Sequence, residues 1–456
     1  MSVTRRGFAG LVGAGALMPG ALWAQKSDPI LDALRSALFG APPEFDAGMA
    51  RLASRGNPDV VPALLTALRF SRQRGREIGR VIETLTGEEH GADWFEWMLW
   101  QERHPEIKPH PSLIPFKRDI FLRIDENFEV FLDHDYLEPD RMKIRFEEVT
   151  WGGVRKDGIP SLDNPELIGA NDARYLAGDD LVFGVEINGD LRAYPLRIMG
   201  WHEMFNEVIG GVPVALAYCT LCGSGILFET QVEGRAKPLV FGSSGFLYRS
   251  NKLMFDRETH SLWNQFTGKP VIGPLVDSDI ELRQRPVVIT TWNSWKASHP
   301  GTRVLSLQTG HRRDYGSGVV YNDYFSSPDL MFPALVDQSV HRQKDYVFAI
   351  RQFGAARAWP LNAFERTRVI NDAIVDTPLV LLGSANERTV RAYERGSHTL
   401  TASGGGLTDE AGHHWTVTEA ALLGPDGQNL PRVAGHIAYW FAWDNYLGDV
   451  SSVYQG

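Results

Sequence analysis

The sequence predicts an α+β protein in which an N-terminal helical, repeat-like segment precedes two copies of a mixed α/β unit packed as a pseudo-twofold pair. Three observations predict it. Apolar residues recur at helical spacing between Asp28 and Asp135. A run of strand-like and turn-like residues returns 165 residues later. Asn188-Gly189 stands between apolar runs, a strong signal for a two-residue hairpin turn.

In chain order, residues 1–25 read as a targeting peptide outside the fold. Thr4-Arg5-Arg6-Gly7-Phe8-Ala9 carries the paired arginines and following Phe of a twin-arginine signal, an apolar run follows to Trp23, and Ala24 suits a cleavage point. Residues 26–140 form the expected helical domain. Asp59 to Leu68 places apolar residues at helical spacing, and Ile78, Val81, Ile82 and Leu85 share one face of the next helix. Trp94, Trp97 and Trp100 can then pack between helices. This segment reads as a supporting or partner-binding domain without chemistry. Pro105, Pro109, Pro111 and Pro115 break the pattern.

The first copy is expected over 141–325 and the second, degenerate copy over 326–456. Val182-Phe183-Gly184-Val185 and Arg192-Ala193-Tyr194-Pro195-Leu196 are matched by Val347-Phe348-Ala349-Ile350 and Arg357-Ala358-Trp359-Pro360-Leu361. The same offset pairs Asn206-Glu207 with Asn371-Asp372 and Pro213-Val214 with Pro378-Leu379. Within a copy, a helix is expected from about Leu196 to Val208, and then strands at Val212 to Tyr218 and Ile226 to Thr230. Strand order cannot be read from the chain.

Composition narrows the function classes. A net charge of −10 without a basic block argues against nucleic acid, whose phosphates require clustered Lys and Arg. After the leader, no stretch approaches the ~18 uninterrupted apolar residues of a membrane-spanning helix. The 13 Trp and 23 Phe point to well-packed cores.

Only two cysteines are present, Cys219 and Cys222, in a single C-x-x-C, too few for a disulfide scaffold. Redox pairs of the thioredoxin kind sit at the start of a helix, whereas Gly223, Gly225 and a strand-like run follow here. The turn resembles a metal knuckle, in which two thiolates converge and glycine turns backbone N–H groups toward sulfur. The second copy has Ser384, Glu387 and Thr367 where the first has Cys219, Cys222 and His202. Soft ligands confined to one copy mark a site, and His202 is the leading third ligand. Met204, Glu203 and His260 are further candidates. Asp256 and Arg257, in the polar and aromatic run Tyr248 to Gln265, are candidates to line a pocket or to form a structural ion pair.

Asp157-Gly158-Ile159-Pro160-Ser161-Leu162-Asp163-Asn164-Pro165, Ala193-Tyr194-Pro195-Leu196, Trp201-His202-Glu203, Tyr218-Cys219-Thr220-Leu221-Cys222-Gly223 and Phe255-Asp256-Arg257-Glu258-Thr259 together resemble a family of exported bacterial and archaeal proteins catalogued as a domain of unknown function. The resemblance runs from about Gly153 to the end. Members usually carry Pro at the place of Thr220, a departure that leaves the thiolates untouched. The resemblance implies a site at these motifs and names no reaction.

The leading expectation is a periplasmic or secreted metalloprotein, with oxidoreductase as its activity class and a mononuclear site of Cys219, Cys222 and His202. Thiolates and imidazole favour copper, with zinc or iron as the other metals. Loading before export would keep the thiolates from oxidising. The alternatives are a metal-free thiol–disulfide protein and a non-catalytic binding module with an inert disulfide. The partner is an unknown small molecule or redox protein, and the helical domain offers a surface for a protein partner. Replacing Arg5 and Arg6 with Lys is expected to leave precursor in the cytoplasm, because the export receptor reads that pair as an address. Fractionation checks this, and normal periplasmic accumulation of the double variant would refute it.

Overall fold

The computed structural model describes residues 28–456 apart from Arg72, and the leader expected at 1–25 lies outside the described residues. Six α-helices come first: α1 (Pro29–Phe39), α2 (Pro42–Ala53), α3 (Val61–Phe70), α4 (Gly75–Thr86), α5 (Trp94–Arg103) and α6 (Leu113–Ile124). Local chemistry sets their ends. Asp28 caps α1 by accepting the Ile30 and Leu31 N–H groups, and Asp93 caps α5 in the same way. Gly87 stops α4 in a left-handed conformation at φ 79°. Helix α3 is central, buried from Val61 to Leu68. Ile78, Val81 and Ile82 face the core as their spacing predicts, and Trp97 is fully buried.

A sheet-rich region follows. A five-stranded sheet contains β1 (Val149–Trp151) and a later hairpin introduced below. The first duplicated stretch runs β2 (Leu181–Ile187), β3 (Asp190–Pro195), α7 (Leu196–His202), β4 (Met204–Ile209), β5 (Val212–Cys219) and β6 (Ser224–Glu229). The β2–β3 turn is Asn188-Gly189, both at positive φ, the geometry that suits right-handed strand twist. Helix α7 is shorter than its expected range. It ends at His202 because Glu203 turns left-handed at φ 54°, and Met204–Ile209 pairs as a strand with Val212–Cys219 across Gly210-Gly211.

Strands β7 (Phe241–Tyr248) and β8 (Asn251–Asp256) join the sheet of β1. Phe246, Tyr248, Leu253 and Phe255 share one core with helices α1 to α6. Strand β9 (Val288–Thr291) then lies antiparallel to β2, helix α8 (Trp292–Ser298) follows, and β10 (Arg303–Leu305) lies parallel to β3.

The second stretch contains β11 (Tyr346–Gln352), β12 (Ala355–Pro360), β13 (Val369–Ile374), β14 (Thr377–Ser384) and β15 (Thr389–Glu394). Its register repeats the first at the 165-residue offset. Val182 faces Pro195 as Val347 faces Pro360, and Met204 faces Ala217 as Val369 faces Leu382. Cys219 faces Ser224 as Ser384 faces Thr389. Strand β16 (His436–Tyr439) is antiparallel to β11, helix α9 (Trp440–Leu447) follows, and β17 (Ser451–Val453) is parallel to β12. Between the stretches, β16 packs on β6, and β9 packs on β15. Among the described residues no helix is long and apolar enough to cross a membrane.

His436 occupies on β16 the place that Val288 has on β9. It is 4% exposed, lies against the edges of Phe266 and Trp443, and has no hydrogen-bond partner for either ring nitrogen. Burial, with Arg351 nearby, pushes its pKa down to about 3. The unfolded chain takes up that proton near pH 6.5, so the stability held by the neutral ring above that pH is lost as pH falls toward 3. His436→Val is expected to flatten the acid side of the stability profile, whose slope for one group is at most about 1.4 kcal/mol per pH unit. Urea midpoints measured from pH 7 to pH 4 check this.

Candidate functional site

Strand β5 delivers Cys219 to a tight turn. Cys219 pairs with Ser224, and Thr220 to Gly223 close the connection. The Cys222 N–H donates to the Cys219 carbonyl at 3.2 Å, and Gly223 takes φ 60°, a conformation that costs other residues about 1–2 kcal/mol. A Cβ on Gly223 would stand 3.1 Å from Tyr346 and 3.3 Å from Tyr439, so the turn lies flush against the second stretch. The Tyr439 N–H donates to the Cys222 carbonyl at 2.8 Å, and the Tyr324 hydroxyl donates to the Leu221 carbonyl at 2.7 Å. Both cysteines are free and buried, with their sulfurs 3.0 Å apart.

The start of β8 surrounds the pair. Arg249 and Ser250 both take positive φ, and this sharp turn brings Ser250, Asn251 and Lys252 beside the sulfurs. Asn251 Nδ2 donates to Cys222 Sγ at 3.2 Å and to Gln265 Oε1 at 2.7 Å. Gln265 Nε2 in turn donates to the Ala217 and Ser224 carbonyls, tying β8 to both arms of the cysteine hairpin. Lys252 Nζ pairs with Glu203 Oε2 at 3.1 Å, and Thr220 Oγ1 donates to Glu203 Oε1 at 2.7 Å. This ion pair is buried and therefore depends on those added hydrogen bonds.

The surroundings split the two thiols. Burial and the Glu203 carboxylate oppose ionisation of Cys219, but the hydrogen bond from the Cys222 thiol, joined by the Lys252 N–H and ammonium, outweighs them, so Cys219 lies below the ordinary thiol value. Burial and the neighbouring Cys219 push Cys222 well up, and the shared proton belongs to Cys222.

The expected third ligand stands apart. His202 Nδ1 lies 2.9 Å from the Pro160 carbonyl and Nε2 lies 2.6 Å from the Tyr315 hydroxyl, so both ring nitrogens are committed elsewhere. Burial, with His311 and Arg313 adding to it, pushes its pKa down to about 4. Among the described residues no three His, Cys, Asp or Glu side chains gather as a metal-binding group, and the set Cys219, Cys222 and His202 is not assembled. Glu203 faces Lys252 and Thr220, Met204 is core, and His260 stacks on Phe255.

Asp256 and Arg257 do not line the cavity beside the cysteine turn. Asp256 is fully buried and accepts from Thr259 and the Trp263 indole, organising the turn after β8. Arg257 makes two 2.9 Å hydrogen bonds to Asp157 and not to its neighbour Asp256, and so joins two of the motifs. Sequence reasoning missed Asn251, Lys252, Tyr346, Arg388 and Tyr439. The polar run after Tyr248 held a signal for the first two, while the others are brought in only by the packing of the second stretch.

That cavity, about 400 Å3, borders Tyr218 and Gly223, the residues that flank the C-x-x-C. Leu181, Leu196, Arg197 and Ile289 wall one side; Lys344, Tyr346, Arg388 and Tyr439 wall the other. Leu181 and Tyr346 are equivalent at the 165-residue offset, as are Gly223 and Arg388.

The family model described as protein of unknown function (DUF3179) matches residues 156–450. The chain belongs to that family. No curated protein and no solved structure matches the chain. The DUF3179 region holds the cysteine turn, its β8 surroundings and both walls of the cavity.

In this DUF3179 protein, Cys222→Ala removes the thiol that favours the Cys219 thiolate. Reaction of Cys219 with methyl methanethiosulfonate is expected to have its pH midpoint below the free-thiol value of ~8.5 in the native chain and higher in the variant. Mass-spectrometric rates across pH measure both, and an unmoved midpoint would show that Cys222 does not tune Cys219.

Proposed function

We propose that this DUF3179 protein is an exported thiol–disulfide protein whose Cys219–Cys222 pair cycles between dithiol and disulfide. The observation that carries the reading is two free sulfurs held 3.0 Å apart in a hydrogen-bonded turn, with no third His, Cys, Asp or Glu ligand gathered to them among the described residues. Cys219 is the attacking thiolate, and Cys222 is the resolving thiol. Attack on a disulfide R–S–S–R joins Cys219 to one sulfur and expels the other as RS⁻, which takes a proton. Cys222 then attacks Cys219 Sγ, releasing the second RSH and leaving the intramolecular disulfide. The substrate gains the two electrons that the cysteines lose. In place of the helix N-terminus of thioredoxin-like centres, hydrogen bonds from the Cys222 thiol and the Lys252 N–H favour the Cys219 thiolate.

The centre would lie in the first of two units, 141–325 and 326–456, packed as a pseudo-twofold pair. Reciprocal packing of β6 with β16 and of β15 with β9 supports this symmetry, because a twofold pairing makes every contact twice. The helical segment, 26–140, would serve as the supporting or partner-binding part. Paired sulfurs without imidazole favour a second reading, a copper(I) thiolate pair, since soft thiolates select that ion. Zinc or iron sites built on four protein ligands fit this donor set less well.

Equilibration of the protein in thiol–disulfide buffers of graded potential, followed by alkylation and mass measurement, is the test. The expected result is a single two-electron transition from two alkylated cysteines to none, with Cys222→Ser accumulating a mixed disulfide on Cys219. Thiols that stay reduced throughout, with one copper per chain lost in Cys219→Ser, would transfer the reading to the copper pair.

A further inference from the structure

The lining of the cavity beside the cysteine turn holds the cations Arg197, Lys344 and Arg388 and the carboxylates Asp179 and Asp180. Arg197 is matched by Asp180 at 2.9 Å. Lys344 lies 3.7 Å from the centre of the Tyr324 ring and donates to the Tyr324 and Ser327 carbonyls, and Asp329 acts on it from outside the cavity lining. The Arg388 guanidinium sits 4.1 Å from the Tyr346 ring centre and has neither an ion-pair nor a hydrogen-bond acceptor among the described residues. The exposed Asp179 in the lining and Asp329, which acts on Lys344, oppose these two cations, and Arg388 is the one cation of the lining without a carboxylate partner among the described residues. Beside them, Tyr346 stacks on Tyr439 with ring centres 4.5 Å apart, and their hydroxyls are 3.0 Å apart. A planar fork of five donors beside an aromatic wall suits a carboxylate on a flat, small molecule, and 400 Å3 lies in the range of small-molecule sites.

The placement of these residues gives the second unit a role. At the positions of Leu181, Gly223 and Cys222, it carries Tyr346, Arg388 and Glu387. The unit that lacks the thiols thus lends a cation and an aromatic ring to a cavity lined by Tyr218 and Gly223, the residues on either side of the buried C-x-x-C.

Resting on the thiol–disulfide reading, we propose that this cavity is the substrate site, that its substrates are small carboxylate-bearing disulfides, and that Arg388 anchors the carboxylate. The substrate disulfide takes two electrons from the dithiol and leaves as two carboxylate-bearing thiols, with both thiol protons accounted for in the products.

Two measurements separate this inference from the reading beneath it. In the first, the reduced full-length chain reacts with 5,5′-dithiobis(2-nitrobenzoate), which carries carboxylates, and with uncharged 4,4′-dithiodipyridine. Arg388→Gln is expected to lower the ratio of the two rates about tenfold or more, the worth of one charged hydrogen bond, with Arg388→Lys in between. In the second, calorimetry follows benzoate binding to Cys219→Ser, where no exchange can occur, and binding is expected to be lost on adding Arg388→Gln. An unchanged rate ratio, or benzoate binding that ignores Arg388, overturns the anchor. Benzoate binding through Arg388 while Cys219 reacts with neither disulfide keeps an anion site and removes the redox reading. Exchange without benzoate binding keeps the redox reading and removes the site.

Discussion

The Tyr439 N–H bound to the Cys222 carbonyl at 2.8 Å joins the cysteine turn of the first stretch to the second. A four-residue connection between two strands has few conformations, and this one holds a buried carbonyl that must find a donor. Strand β16 supplies it, and β16 is itself held by β11 and packed on β6. Gly223 allows the approach because any larger residue would press on Tyr346 and Tyr439. The position of both sulfurs is therefore a property of two stretches in contact rather than of one hairpin.

Around that contact the protein buries charge. Glu203 and Lys252 meet at 3.1 Å out of water, an arrangement whose desolvation cost is offset only when the remaining hydrogen-bonding capacity is used. Thr220 and the Glu203 carbonyl use it, and the same Lys252 amide faces Cys219. One network thus closes the end of α7 and braces the cysteine turn, while the hydrogen bond between the two thiols sets most of the difference between them. Glu203 can serve it because its left-handed backbone ends the helix at that point.

The duplicated stretches differ where the cavity lies. Core positions such as Val182 and Val347 repeat, since a buried strand pair needs the same apolar fill in both places. Cavity positions are free of that demand. There Leu181 gives way to Tyr346 and Gly223 to Arg388, and the two halves present unlike chemistry to a shared space.

The sequence by itself determined the helical beginning, the internal repeat and its register, and the Asn188-Gly189 hairpin. These follow from local periodicity, turn chemistry and one internal comparison, all of which act between near neighbours or between like strings. It misjudged Met204–Val208 as helix, because Met-Phe-Asn-Glu carries no strong period and the left-handed Glu203 that breaks the helix gives no sign in the chain. The membership of the site was decided by tertiary structure alone. His202 stands one residue from Glu203, yet its ring is taken by Pro160 and Tyr315, while Asn251, Lys252, Tyr346 and Tyr439 arrive from 29 or more residues beyond Cys222. A soft-ligand pattern shows which side chains can bind a metal. Which of them share one space depends on strand order and on how the two stretches face each other, and neither is written in local sequence.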